Sequence, residues 1–114
     1  MEIVFEKQKG FSPEMMIRRC GYIDIVDHRT GKVSFVRRLG PYFYPRFHIY
    51  IIEEDKKVKY LLHLDQKRSS YEGTPAHSAE YDGEAVNREA ERIKEIISKN
   101  FRNNISGQKG QLWK

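Results

Sequence analysis

Three of the four histidines lie between residues 48 and 77, and with one aspartate they are the first candidates for chemistry in this sequence. His48 and His63 fall in segments that alternate in hydrophobicity, Asp65 follows shortly after His63, and His77 lies in a polar segment. Imidazole titrates near neutral pH and binds metal ions, so imidazoles beside a carboxylate can hold a divalent cation or transfer protons. The spacing therefore allows a metal-dependent or histidine-based hydrolase or phosphoesterase, with His48, His63, Asp65 and His77 as its candidate residues.

The same residues also fit a purely structural role. His48 can hydrogen-bond to His63 or to a loop backbone, and Asp65 can neutralise Arg46 in a polar network that holds a neighbouring loop. Because His63 and Asp65 alone are a weak motif, no catalytic residue is assigned from the sequence, and the metal site stays an alternative.

A second pattern places cations among aromatic rings over residues 37–50, RRLGPYFYPRFHIY. Residues 28–52 contain five basic residues and no acidic one, namely Arg29, Lys32, Arg37, Arg38 and Arg46. Cations neutralise phosphates, and each exposed ring that stacks an unpaired base contributes about 1–3 kcal/mol to binding. The pattern predicts a site for single-stranded nucleic acid, RNA more than duplex DNA, formed by Arg37, Arg38, Tyr42, Tyr44 and Arg46.

Strand periodicity and overall charge limit this interpretation. Alternate aromatic residues of a strand face the core, so we expect Phe35 and Phe47 to be buried and only Tyr42, Tyr44 and Tyr50 to be available to a ligand. A net charge of +5 also occurs on small proteins that bind no polyanion. A basic surface that contacts only water therefore remains open beside the nucleic-acid site.

Two predicted β-hairpins position both groups of residues. The first joins residues 22–27 to 32–38 through a turn with Gly31, and the second joins 45–53 to 58–65 through a charged turn. Alternation in the second hairpin predicts one buried side made of Phe47, Ile49, Ile51, Tyr60, Leu62 and Leu64. A four-residue turn places residue 53 opposite 58, so the other side should pair Tyr50 with Leu61, His48 with His63, and Arg46 with Asp65.

The remaining segments predict one further strand, two helices and a long loop. A short strand at 2–7 precedes a helix at about 13–20, which has Ser12 as its N-cap and ends at Gly21. Residues 66–81 are predicted to be a loop, and a helix follows from an Asp82 cap to about Lys99. Its apolar stripe should face the sheet through Val86, Ala90, Ile93 and Ile97, while its charged residues, Glu89 and Arg92 included, should form a neutral face toward water.

These elements predict an α+β domain with an antiparallel sheet of four or five strands and both helices packed on one face. The length of 114 residues, at 13.6 kDa, suits one domain at 1–101 followed by a flexible tail at 102–114. That tail carries Leu112 and Trp113, so a protein-interaction module that docks through them is a third alternative. The single cysteine excludes an internal disulfide and a cysteine-based zinc cage.

The chain has no apolar run of the length that a membrane span needs and no signal-peptide pattern near Met1. We therefore expect a cytoplasmic protein without a membrane partner. We expect it to be a non-enzymatic nucleic-acid-binding module without a cofactor. The hydrolase with a divalent metal and the protein-docking module are the alternatives.

Several segments resemble a family of small uncharacterised prokaryotic proteins. The similarity rests on FVRRLG, FYPRFHIYI, LHLDQKRSSYEG and AHSAEYDG, and it would cover residues 34–97. The resemblance implies no activity, cofactor or catalytic residue, because none is established for that family. The candidate sites above depend on their own residues alone.

Overall fold

A computed structural model describes the backbone of residues 1–66 and 75–112, and the side chains of residues 1–66 and 83–102. The described chain forms five strands and two helices. In chain order these are β1 (Glu2–Glu6), α1 (Pro13–Arg19), β2 (Ile23–Val26), β3 (Val33–Arg38), β4 (Arg46–Glu53), β5 (Lys57–Asp65) and α2 (Pro75–Leu112).

The five strands form one antiparallel sheet in the order β1-β5-β4-β3-β2. Strands β2 to β5 are neighbours in the sheet in the same order as in the chain. Strand β1, at the N-terminal end, pairs with β5. Both helices pack on the same face, where their apolar residues join those of the sheet in one buried cluster. The α+β fold with a C-terminal helix and a short N-terminal helix is confirmed.

The predicted register of the second hairpin is confirmed. Arg46 lies opposite Asp65, His48 opposite His63, and Tyr50 opposite Leu61. The side that faces the helices is buried and contains Phe47, Ile49, Tyr60, Leu62 and Leu64, with Ile51 partly buried at its margin. The opposite side of the sheet, here called the outer face, carries Ser34, His48, His63 and Asp65.

Helix α1 begins and ends where its local sequence dictates. The Ser12 hydroxyl accepts a hydrogen bond from the Met15 amide at 3.2 Å, and Pro13 occupies the first turn, where no backbone donor is needed. Gly21 follows the helix with φ of +97°, a left-handed conformation that favours glycine. Its missing Cβ also leaves room for Arg37, whose Cδ would lie only 3.3 Å from such an atom.

Helix α2 is longer than predicted at both ends. It begins at Pro75 instead of after Asp82, so residues 75–81 of the predicted loop at 66–81 are helical, while residues 67–74 lie outside the described part of the chain. The helix also continues past Lys99 to Leu112. Proline is favoured at a first helical turn, and Gly107 and Gly110 each weaken a helix by only about 1 kcal/mol relative to alanine. Neither is a sufficient stop signal. The mobility predicted for residues 102–114 stays a prediction, and the Leu112 and Trp113 side chains lie outside the described part.

The predicted apolar stripe of α2 is confirmed, but the predicted charged surface is partly wrong. Val86, Ala90, Ile93 and Ile97 are all buried against the sheet. Glu89, which was expected to face water, is only 3% exposed. Glu89 lies at the margin of the apolar stripe, next to Ala90. From this position its long side chain can reach into the space between α2 and β3. No helix in the described residues is long and apolar enough to cross a lipid bilayer.

Candidate functional site

The connection between β3 and β4, residues 39–45, presents aromatic side chains to solvent and is here called the aromatic loop. Its ends are joined by a hydrogen bond that the Leu39 amide donates to the Pro45 carbonyl at 3.2 Å. Tyr42 is 76% exposed and Phe43 is 64% exposed, the two largest exposures among the described large apolar residues. Large aromatic rings gain from burial, so two adjacent rings left in water mark this loop as a candidate contact surface.

Two cations lie against rings of the aromatic loop. The Arg38 guanidinium carbon lies 4.4 Å from the Phe43 ring centroid, and that of Arg46 lies 4.8 Å from the Tyr44 ring centroid. Both distances fall within the range of cation–π attraction. Arg38 is exposed and has no carboxylate within salt-bridge distance in the described part of the chain, so its charge is available to a ligand.

Arg46 and Tyr44 have a more structural position than predicted. Arg46 is largely buried and its Nε donates to Asp65 Oδ2 at 3.3 Å, as the cross-strand pairing predicted. Tyr44 is half-buried beneath it. We infer that this pair anchors the base of the loop, while Arg38, Tyr42 and Phe43 form its accessible surface.

Arg37 lies on the other side of the sheet from Arg38, because successive strand residues point to opposite faces. Its guanidinium donates to both carboxylate oxygens of Glu89, from Nε at 3.1 Å and from Nη2 at 2.9 Å. The five residues predicted to form one nucleic-acid site are therefore divided. Arg37 contributes to the helix-covered face, and the others lie at the loop or on the outer face.

On the outer face, His48 bonds to residues other than His63. Its Nδ1 lies 2.9 Å from Asp65 Oδ2, and its Nε2 lies 2.7 Å from the Ser34 hydroxyl. In the neutral imidazole, Nδ1 donates to the carboxylate and Nε2 accepts the hydroxyl proton. The hydrogen bond from His48, helped by Arg46, lowers the pKa of Asp65 below its usual range against the effect of burial.

This Ser34–His48–Asp65 chain has the connectivity of a hydrolytic triad, but its surroundings do not suit one. Ser34 is only 5% exposed, and it does not line the cavity that lies between α2 and the sheet. A nucleophilic serine must reach a substrate carbonyl beside donors for the developing oxyanion. The arrangement instead satisfies two buried polar groups and ties β3, β4 and β5 together.

The predicted histidine cluster is not assembled in the described part of the chain. His63 is exposed and packs edge-on to Tyr50, with ring centroids 6.0 Å apart. His77 lies on α2, and its side chain is outside the described residues. Among the described residues no group of three or more His, Cys, Asp or Glu side chains could hold a metal ion.

The buried carboxylate of Glu89 forms a second polar centre, between α2 and the sheet. It accepts hydrogen bonds from the Tyr22 hydroxyl at 2.5 Å, from Arg37, and from Nε and Nη2 of Arg92, both at 2.9 Å. Burial alone would raise the pKa of Glu89, but hydrogen bonds from Arg92, Arg37 and Tyr22 lower it to about 2. Burial and the Glu89 hydrogen bond raise the pKa of Tyr22 far above its usual value.

Sequence reasoning missed Ser34, Phe43 and Glu89 as members of these sites. The position of Ser34 follows from the β3–β4 register, in which Val36 lies opposite His48. That register is hidden in the sequence, because the long loop between the strands does not specify it. A signal for Phe43 is present in the sequence, because it lies between Tyr42 and Tyr44 in the predicted site.

The polar chain on the outer face gives a stability prediction. We expect Asp65→Ala to lower the free energy of unfolding by roughly 1–3 kcal/mol, because His48 and Arg46 both lose a half-buried acceptor. Urea denaturation followed by far-UV circular dichroism measures this. Asp55→Ala in the exposed β4–β5 turn is the matched control. Equal losses in the two variants would contradict the prediction.

Comparison with known proteins identifies no relative. The chain matches no protein-family profile, no curated protein sequence and no solved structure. The resemblance to small prokaryotic proteins therefore stays a prediction. Function has to be inferred from the residues and their geometry.

Proposed function

We propose that this protein binds single-stranded nucleic acid through the aromatic loop and is not an enzyme at this surface. The observation that carries the proposal is the exposure of Tyr42 and Phe43 beside Arg38. Two neighbouring rings are kept in water at the ends of β3 and β4, in a sheet that buries other aromatic residues, such as Phe35 and Phe47, as predicted. A ligand that stacks on the rings accounts for their exposure.

The chemistry of the loop favours unpaired bases. Each base has a π-face that can stack on Tyr42 or Phe43, and stacking requires that the base is not already stacked in a duplex. Arg38 can bond to a phosphate of the same strand while it remains against the Phe43 ring. Affinity would come from stacking together with one or a few phosphate contacts.

The proposal separates the roles of the predicted residues. Arg38, Tyr42 and Phe43 contact the strand directly, whereas Tyr44 and Arg46 support the shape of the loop through the Arg46 contact with Asp65. Substitution of the first three should weaken binding without loss of stability. Substitution of Arg46 should affect both properties.

Fluorescence anisotropy with a labelled unstructured RNA tests this proposal. We expect Tyr42→Ala and Phe43→Ala each to weaken binding by about fivefold or more, since one stacked base is worth about 1–3 kcal/mol. Arg38→Glu should also weaken binding. The affinity of the unsubstituted protein should fall as salt is raised from about 50 mM to about 200 mM.

Two control variants make the test specific. Tyr42→Phe keeps the ring and should bind like the unsubstituted protein. Arg29→Glu makes the same charge change as Arg38→Glu at the exposed β2–β3 turn, and it should have a smaller effect. Absence of binding at low salt, or an equal loss from Arg29→Glu and Arg38→Glu, would refute a site on the aromatic loop.

A further inference from the structure

A cavity of about 310 Å³ lies between α2 and the β3 and β4 strands, on the helix-covered face and apart from the exposed rings. Three arginines line it, Arg37, Arg88 and Arg92, and its apolar wall is formed by Leu39, Phe47 and Ala85. Concave sites with an apolar wall and a few convergent polar groups are the usual form of small-ligand sites. The cavity therefore has the general form of a small-ligand site.

Glu89 cannot neutralise both arginines that bond to it. Arg37 and Arg92 bring two positive charges to one buried carboxylate, which leaves a surplus of one. Arg37 uses Nε and Nη2 for this carboxylate, and Arg92 uses the same two nitrogens, with Nη2 also donating to the Cys20 carbonyl. In the described part of the chain the Nη1 group of each arginine makes no protein hydrogen bond, so donors and charge remain for an anion.

Arg88, the third arginine, lies at the rim of the cavity and forms only a weak salt bridge. Arg88 pairs with Glu84 one turn earlier on α2, and both side chains are exposed, at 76% and 67%. Such surface pairs contribute little because water and salt screen them. An anion that enters the cavity can replace Glu84 as the partner of Arg88 at small cost.

We propose that this cavity binds a phosphate monoester, with Arg88, Arg37 and Arg92 as its ligands. A monoester carries between one and two negative charges at neutral pH and presents three terminal oxygens, which suits guanidinium groups that converge from different directions. The volume of about 310 Å³ lies at the lower end of the roughly 300–1,000 Å³ that is usual for small-ligand clefts. It therefore accommodates the phosphate together with part of the group that carries it.

The phosphate monoester has two possible sources, a free nucleotide or the terminal phosphate of a nucleic-acid strand. Titration of the full-length protein with AMP, followed by heteronuclear NMR at constant ionic strength, tests the first source. Anisotropy with the same RNA, made with a terminal phosphate or with a terminal hydroxyl, tests the second. Acetate at matched ionic strength serves as the carboxylate comparison.

Two substitutions at the rim should act in opposite directions. Arg88→Gln removes an exposed ligand and should weaken monoester binding about tenfold, since a charge-assisted hydrogen bond is lost. Glu84→Gln removes the competing carboxylate and should strengthen binding. Lys99→Gln and Glu95→Gln alter an equivalent exposed pair on the same helix, and they should leave binding unchanged.

The results with AMP and with the phosphorylated RNA test the cavity proposal. Shifts with AMP, or tighter binding of the phosphorylated RNA than of the hydroxyl RNA, support the site when Arg88→Gln weakens monoester binding about tenfold. No response to either monoester, an equal response to acetate, or an unchanged response in Arg88→Gln overturns it. Binding of the hydroxyl RNA tests the aromatic loop instead, so the two proposals can fail separately.

Discussion

Substitution of Glu89 by alanine is expected to lower the free energy of unfolding by about 3–5 kcal/mol, a large share of the stability of a small domain. The carboxylate is buried and accepts from Tyr22, Arg37 and Arg92 at once. Its removal leaves two partly buried guanidinium groups near each other without their shared anion, and it also leaves the Tyr22 hydroxyl without its acceptor.

Urea denaturation of the variant and the unsubstituted protein at neutral pH measures this loss. Glu91→Ala is the matched control, because Glu91 lies on the same helix, is exposed, and among the described residues pairs only with Lys94, at 3.4 Å. Surface substitutions of this kind change stability by about 0.5 kcal/mol or less. A loss for Glu89→Ala as small as that of the control would mean that the polar centre does not stabilise the fold.

The second large effect is a loss of stability in acid. The pKa of Glu89 is held at about 2, below the ordinary value of 4.5, so the folded state binds the proton less readily than the unfolded chain. The stabilisation is complete above about pH 4.5 and is lost as the pH falls toward 2. The difference corresponds to roughly 3 kcal/mol at most.

Comparison with Glu89→Gln isolates this effect from other carboxylates. Asp65 and Asp24 also have pKa values below their usual range, Asp65 through His48 and Asp24 through Arg18, so every variant should lose some stability in acid. The curve for Glu89→Gln should fall less steeply below about pH 4.5 than that of the unsubstituted protein. Parallel curves would show that Glu89 does not titrate as its contacts require.

The β4–β5 hairpin was predictable because its turn is short and its alternation is strict. These two features fix which residues pair, so the contacts of Arg46 with Asp65 and the pairing of His48 with His63 followed directly. The faces of the sheet and the inward stripe of α2 followed from periodicity alone. Local chemistry likewise specified the Ser12 cap and the left-handed Gly21.

Contacts between distant segments could not be predicted in this way. Tyr22 lies just before β2, Arg37 lies on β3 and Glu89 lies on α2, and these segments meet only after the sheet and α2 have packed. The hydrophobic periodicity of α2 predicts which of its faces is buried, but it does not predict the angle at which the helix crosses the sheet. The prediction that Glu89 faces water is wrong for this reason. The contact of Ser34 could not be predicted for a similar reason. The aromatic loop is long, so its length does not specify the register of β3 with β4.

The positive charge of residues 28–52 is partly neutralised by acidic residues that lie elsewhere in the chain. The stretch has five cations and no acid, but Arg37 bonds to Glu89 and Arg46 bonds to Asp65, both from outside it. Arg29 likewise pairs with Asp27. In the described part of the chain, the cations of this stretch that make no salt bridge are Lys32 at the β2–β3 turn and Arg38 at the aromatic loop, and the cavity beneath α2 has a surplus of its own. The composition predicts an anionic partner, and we propose two binding sites for one, at the aromatic loop and in the cavity.

The position of β1 next to β5 has a consequence for the order of folding. Phe5 lies opposite Val58, so this ladder closes a loop that contains α1 and three other strands, whereas the β4–β5 hairpin closes over a short turn. Short closures cost less chain entropy and form faster than long ones. The central hairpin should therefore serve as the template, and the first strand of the chain should be the last to join the sheet.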